Sequence, residues 1–218
     1  MKVLVTGATG MIGSLVLKRC LENDKITDVV SLVRRQSGVV HEKYAEFVLP
    51  DFLDLKDVEP ILSEVDVVYY CLGAYTGNVD RETLRKVTVD YPDALANLVA
   101  GHNPEVRFCL LSGAGADRTG KSRTSFARDK GEIENRLSEK SMGSFHTFRP
   151  GYIYPVTPRN EPGFGYRLMR WMYPVVRLFG DGASIQSSEL ADAMFKVGLA
   201  GHENEVIENR DILRIVKS

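Results

Sequence analysis

Three glycines at Gly7, Gly10 and Gly13 stand where a short apolar run, Val3-Leu4-Val5, gives way to Ile12, Leu15, Val16 and Cys20 at helical spacing. A strand, a glycine turn and a helix in that order can bind an anion. Gly7 suits the tight turn, and Gly10 has no side chain to hold a pyrophosphate off the backbone. Gly13 lets the helix pack closely on the strand. The helix N-terminus then offers N–H groups and partial positive charge to phosphate. The spacing is G-x-x-G-x-x-G, one residue longer than G-x-G-x-x-G, and an ordinary strand-to-helix turn would also place glycines here. The context favours a dinucleotide site.

A second chemical signal is Arg34-Arg35, which ends the apolar run Asp28–Val33. In a dinucleotide fold this strand end faces the adenosine ribose, where an acidic residue binds the 2′-hydroxyl of NAD and arginine suits the 2′-phosphate of NADP. No Asp or Glu lies between Val29 and Val40, so NADP(H) is favoured over NAD. Downstream, Asp51 and the Phe52 backbone can meet an adenine edge. Asp54 reads as the cap of a helix near 57–64. Ser112 follows the run Val106–Leu111, where α/β proteins place substrates, although a capping or turn role fits it equally well.

The elements that must position these groups alternate regularly. Strands are expected near 3–5, 28–33, 44–49, 65–72, 106–111 and 144–148. Helices are expected from Ile12, over 57–64, over 80–100, over 124–140 and over 189–199. Pro92 should kink or restart the helix over 80–100. Leu190, Ala193, Met194 and Val197 should face inward. The pattern predicts an α/β doubly wound parallel sheet, one Rossmann domain over 1–218, with 152–218 contributing a substrate-covering part. Within that part Phe164, Tyr166, Trp171, Tyr173 and Phe179 interleave with Arg167, Arg170 and Arg177.

A chain of 218 residues with 44% hydrophobic and 26% charged residues suits one such domain. The net charge of -1 gives no electrostatic case for nucleic acid or an anionic membrane. No apolar run is long enough to span a bilayer. Met1 leads straight into the first strand, which does not read as a signal peptide. Cys20, Cys71 and Cys109 lie in apolar stretches without paired spacing, as expected of buried thiols in a reducing, cytoplasmic setting. Four scattered histidines imply no metal site.

The blocks TGATGMIG, LVRR, CLGA, LLSGAGAD, FARDKGEIE and FRPGYIYP, in this order from Met1 to about Pro155, resemble the atypical, NAD(P)-binding branch of the short-chain dehydrogenase/reductase superfamily. The run CLG, LLSGAGAD, KGEIE and RPG is most similar to the Tat-interacting-protein-like oxidoreductases. The candidate cofactor-binding residues are then Gly7, Thr9, Gly10, Met11, Ile12, Gly13, Arg34, Arg35, Asp51, Phe52, Cys71, Leu72, Gly73, Lys130, Pro150 and Gly151. The candidate catalytic residues are Ser112, as the substrate-polarising serine, and Lys130.

The resemblance also exposes a departure. The family's catalytic helix carries Tyr-x-x-x-Lys; Lys130 matches the lysine, and Phe126 stands at the tyrosine position. Phenylalanine has no O–H and cannot act as a general acid. Tyr75, Tyr152 and Tyr154 are alternative donors without the helical spacing. Two functions therefore fit. One is an NADPH-dependent oxidoreductase of a small carbonyl or quinone-like acceptor, using an altered proton donor. The other is a non-catalytic NADP(H) sensor that reports through a protein partner.

Overall fold

The first strand, β1 (Lys2–Thr6), lies between β2 (Asp28–Val33) and β4 (Val67–Tyr70), and both neighbours run parallel to it, with Val3 facing Val29 on one side and Val67 on the other. The computed structural model describes residues 1–74, 79–156 and 182–217. Adding β3 (Tyr44–Val48), β5 (Arg107–Leu111), β6 (Ser144–Arg149) and β9 (Val206–Glu208) gives the order β3-β2-β1-β4-β5-β6-β9, parallel throughout. This is the doubly wound Rossmann arrangement, whose direction reverses beside β1 and opens a crevice at the strand ends.

The strands are apolar because both faces are covered. Their alternation divides the core in two. Val3, Val5, Val67 and Tyr69 join one cluster with α1 (Gly13–Glu22) and α6 (Ser187–Ala200). Leu4, Val68 and Tyr70 join the other, with Leu95 and Val99 of α4 (Tyr91–His102) and Ile133 and Leu137 of α5 (Ser125–Ser138). Leu190, Ala193, Met194 and Val197 of α6 are all buried, as their spacing predicts. A capping box between Gln186 and Glu189 starts that helix.

Where the structure departs from the sequence reading, local chemistry gives the reason. The helix expected over 57–64 is one short turn, α2 (Glu59–Leu62), with Pro60 in its first turn and no side-chain cap. Asp54 therefore caps nothing; Asp51 instead accepts the Leu53 N–H at 3.0 Å and shapes the turn. The region 80–100 divides into α3 (Arg81–Arg85), a π-helical turn over Lys86–Asp90, and α4, with Pro92 in the first turn of α4. Proline has no N–H to give the preceding turn, and the widened turn accommodates it.

Three strands of three residues each, β7 (Tyr152–Tyr154), β8 (Ser184–Gln186) and β9, and the last helix, α7 (Asn209–Lys217), have no counterpart in the sequence reading. Strands this short show no period. β7 and β8 form a separate parallel pair, whereas β9 extends the main sheet. The aromatic and basic positions between Phe164 and Phe179 lie outside the described residues, as does Tyr75. Among the described residues no helix is long and apolar enough to cross a membrane.

Candidate functional site

Gly7 ends β1 with φ at +68°, and a Cβ there would lie 2.6 Å from the Cys71 carbonyl oxygen at the end of β4. Only glycine fits on both counts. The Gly10 N–H donates to the Gly7 carbonyl at 2.7 Å, and a Cβ on Gly10 would meet that same oxygen at 2.9 Å. A Cβ on Gly13 would lie 2.2 Å from it. The loop is thus wound around one carbonyl. The sequence reading packs Gly13 on the strand; the structure packs it on the loop. Beyond Gly13, α1 begins with no side-chain cap and no acidic residue in its first turn, so its positive end is left for an anion.

A cavity of about 400 Å³ opens beside this loop, lined by Gly7, Thr9, Arg34, Arg35, Phe52 and Leu72 among others. Arg34 and Arg35 are exposed and have no ion pair among the described residues. The carboxylate of Glu46 on neighbouring β3 is already engaged by the Ser37 N–H at 2.9 Å and the Tyr44 hydroxyl at 2.7 Å. Phe52 is buried and stacks on Tyr91 with ring centroids 5.4 Å apart. Asp51 accepts from Lys86 at 2.8 Å, and that hydrogen bond with the Leu53 N–H holds its carboxyl below the usual range. Among the described residues nothing lies within 4 Å of a Cβ on Gly73, whereas Cys71 is buried and donates its N–H to Thr6.

At the far end of the crevice, Phe126 and Lys130 stand one turn apart on α5, with the Lys130 Nζ 5.2 Å from the Phe126 ring centroid. Both approach Gly113, whose Cβ position is 3.7 Å from the Lys130 stem and 4.0 Å from the Phe126 ring. The acidic neighbours on α5 are paired, Asp129 with Arg81 and Arg85 and Glu132 with Arg85 and Arg136, and Arg128 donates to the Ser122 carbonyl at 2.6 Å. Lys130 has no hydrogen bond or ion pair among the described residues. Burial pushes its ammonium down to about 8, against the opposing pull of the Glu134 charge.

Ser112 is buried at the end of β5 and donates to Glu134 Oε1 at 2.6 Å. Pro150 accepts the Ala114 N–H at 2.9 Å. Gly151 donates its N–H to Asn209 at 2.8 Å, and a Cβ there would lie 2.5 Å from the Ala183 oxygen. α5 is seated on the loop after β5 at Gly131, where a Cβ would lie 1.9 Å from the Asp117 carbonyl oxygen. Gly131→Ala is therefore expected to push Lys130 away from Gly113 and to destabilise the fold by roughly 1–3 kcal/mol or more, read as a lowered Tm.

Residues 3–125 match the NAD dependent epimerase/dehydratase family, more than half of the chain. The chain belongs to that family. Among curated relatives, Protein HTATIP2 of Rattus norvegicus is 26% identical over 219 residues, spanning 99% of this chain and 89% of that protein. The divinyl chlorophyllide a 8-vinyl-reductase of Cucumis sativus, a chloroplastic protein, is 28% identical over 195 residues, spanning 83% of this chain and 44% of the reductase. The crystal structure of the Bordetella bronchiseptica enzyme WbmH in complex with NAD+ shares the fold, with TM-score 0.71 and 19% identity over 95% of this chain and 74% of that one. Family membership supports binding of a nicotinamide dinucleotide by this chain, and the similarity to HTATIP2 agrees with the resemblance to the Tat-interacting-protein-like branch.

In this epimerase/dehydratase-family chain, the candidate residues fall into two groups. Gly7, Thr9, Arg34, Arg35, Phe52 and Leu72 share the cavity. Ser112, Gly113, Phe126 and Lys130 gather beyond it, at the ends of β5 and α5. Met11 and Ile12 belong to the turn into α1, and Ile12 is buried there. Tyr152 and Tyr154 stand on β7. Cys20, Cys71 and Cys109 are buried and unpaired, and burial pushes the Cys20 and Cys109 thiols up to about 12, which suits packing and not nucleophilic work.

Sequence reasoning missed Glu134, which accepts from Ser112, and Arg118 and Arg149, which donate to Glu134. One signal was present. Glu134 falls beside Ile133 on the buried side of α5, a place where a lone carboxylate needs partners.

Proposed function

We propose that this chain binds NADP(H) and reduces a small carbonyl or quinone-like acceptor. The left-handed Gly7, the uncapped start of α1 and the cavity with two arginines that form no ion pair among the described residues fit such a dinucleotide. Gly7 to Gly13 would hold its pyrophosphate, Arg34 and Arg35 its 2′-phosphate, and Asp51 with Phe52 its adenine. Lys130, Cys71, Leu72, Gly73, Pro150 and Gly151 would flank the nicotinamide half. When bound, the reduced cofactor supplies hydride. The protein contributes orientation, exclusion of water beneath a cover drawn from residues 152–218, and a donor at Lys130.

The observation that carries the enzymatic reading is Lys130, a half-buried ammonium beside the crevice that meets the Phe126 ring but has no hydrogen bond or ion pair among the described residues. A lysine kept only for stability would be expected to find a carboxylate, as Arg136 on the same helix does, or a carbonyl, as Arg128 does. The Phe126 ring at the tyrosine position supports the second reading, a non-catalytic NADP(H) sensor with a protein partner. Buried, unpaired thiols suit a reducing compartment, and work in the cytoplasm is part of the proposal.

The deciding experiment follows NADPH oxidation against a panel of aldehydes, ketones and quinones, with Lys130→Ala as control. Turnover that disappears in the control supports the reductase; NADPH binding with no turnover of any acceptor supports the sensor. For cofactor choice, NADPH is expected to bind at least about tenfold tighter than NADH, a gap of about 1.4 kcal/mol. Replacing Arg34 and Arg35 with alanine should erase the gap and leave NADH affinity nearly unchanged. Equal affinities in the unmodified protein, by calorimetry, count against NADP.

A further inference from the structure

Glu134 is wholly buried on α5, one helical turn beyond Lys130. Without water, its charge must be met by donors from the elements packed around it. Oε1 accepts from Ser112 Oγ at 2.6 Å, from Thr147 Oγ1 at 3.0 Å and from Arg149 Nε at 3.1 Å. Oε2 accepts from Arg118 Nε at 3.0 Å and from a second guanidinium nitrogen of Arg149. The arginines are themselves held from outside, Arg149 by Glu208 at 3.1 Å and Arg118 by Glu205 at 2.7 Å. Burial pushes the Glu134 carboxyl up, but the hydrogen bonds from Arg149, Ser112 and Arg118 outweigh it and keep the group below the usual carboxylate range.

An ionised carboxylate only accepts, and a serine hydroxyl has one hydrogen to give. The hydrogen of Ser112 is given to Glu134. What Ser112 can turn toward the crevice is a lone pair, and a carbonyl oxygen brought to that lone pair is repelled. The side-chain N–H groups beside Gly113 belong to Lys130, whose ammonium has three hydrogens and, among the described residues, no acceptor.

We propose that Glu134 is the positioning residue that sets the polarity of this site: it takes the hydrogen of Ser112, so that Ser112 meets a ligand only as an acceptor and Lys130 is the donor to the substrate oxygen. The word substrate rests on the reductase reading above; the polarity of Ser112 does not. The ligand class follows. A group seated against Ser112 carries a hydrogen, as a hydroxyl or amide does, and an oxygen to be reduced lies at Lys130. This reverses the substrate-polarising role that the family resemblance implies for Ser112.

The test reads hydrogens and not turnover, so it stands apart from the fate of the reductase reading. In proton NMR of the full chain, free and saturated with NADP+, the Ser112 hydroxyl is expected as a resonance lost in Ser112→Ala. Its exchange with water should be at least about tenfold slower than that of an exposed hydroxyl. Glu134→Gln should weaken that protection. A methyl-carbon label on Lys130, assigned through Lys130→Arg, should titrate at a lower pH in Glu134→Gln than in the unmodified protein. Ser112→Ala should leave that titration in place, which a general loosening of the fold would not. If Glu134→Gln fails to fold, the Ser112 resonance of the unmodified protein decides alone. A Ser112 hydroxyl in fast exchange with water in both states overturns the proposal.

Discussion

A Gly10→Val protein is expected to lose at least about 100-fold in dinucleotide affinity, near 2.7 kcal/mol, while keeping a cooperative thermal transition close to that of the unmodified chain. The expectation follows from how little surrounds this position. Among the described residues, its chain neighbours aside, only the Gly7 carbonyl oxygen at 2.9 Å and its carbon at 3.9 Å lie within 4 Å of a Cβ at Gly10. A valine there disturbs the loop and intrudes on an approaching pyrophosphate, and it leaves the core alone.

Gly13→Val makes the contrast. Its Cβ would lie 2.2 Å from the Gly7 oxygen and 3.1 Å from the Ala8 nitrogen, both of them backbone atoms, so α1 must shift off the sheet. That variant is expected to lose both affinity and Tm. Calorimetry with NADPH and thermal denaturation on the two proteins separate the effects. Undiminished affinity in Gly10→Val would remove the loop from the site.

Phe126→Tyr is expected to create or raise carbonyl reduction, by about 10²–10⁴-fold, the usual worth of a placed general acid. The Phe126 ring already lies beside Lys130 and Gly113, so the added hydroxyl needs no movement of α5. The pH dependence carries a second check. Lys130 titrates at about 8, so with Lys130 as the donor the unmodified protein should lose rate as pH rises through that value and the ammonium gives up its proton. A tyrosine, with an ordinary pKa of about 10, stays a donor beyond it, so the Phe126→Tyr protein should hold its rate to higher pH. Lys130→Ala should abolish activity in both backgrounds. Silence from the unmodified and Phe126→Tyr proteins alike, with NADPH binding confirmed, would sink the reductase and leave the sensor.

Much of this was legible before any tertiary contact was known. Strand and helix positions follow from apolar period, which is local: the run 28–33 is a strand as its pattern places it, and the run 44–49 forms one over Tyr44–Val48. The glycines, the arginine pair and the Phe126–Lys130 spacing are local as well: a helix places residues four apart on one face whatever it packs against. Tertiary structure alone decided the rest. Ser112 and Glu134 are 22 residues apart, and their hydrogen bond exists because α5 packs back on the end of β5 and the loop that follows it. Gly7 requires glycine partly because the Cys71 carbonyl, at the end of β4, passes beside it, and β4 is the neighbour of β1 only in the folded sheet. β9 is three residues long and gains its place in the sheet by pairing with β6. Period and spacing describe one segment at a time. Whether a hydroxyl donates or accepts depends on which segment is brought against it.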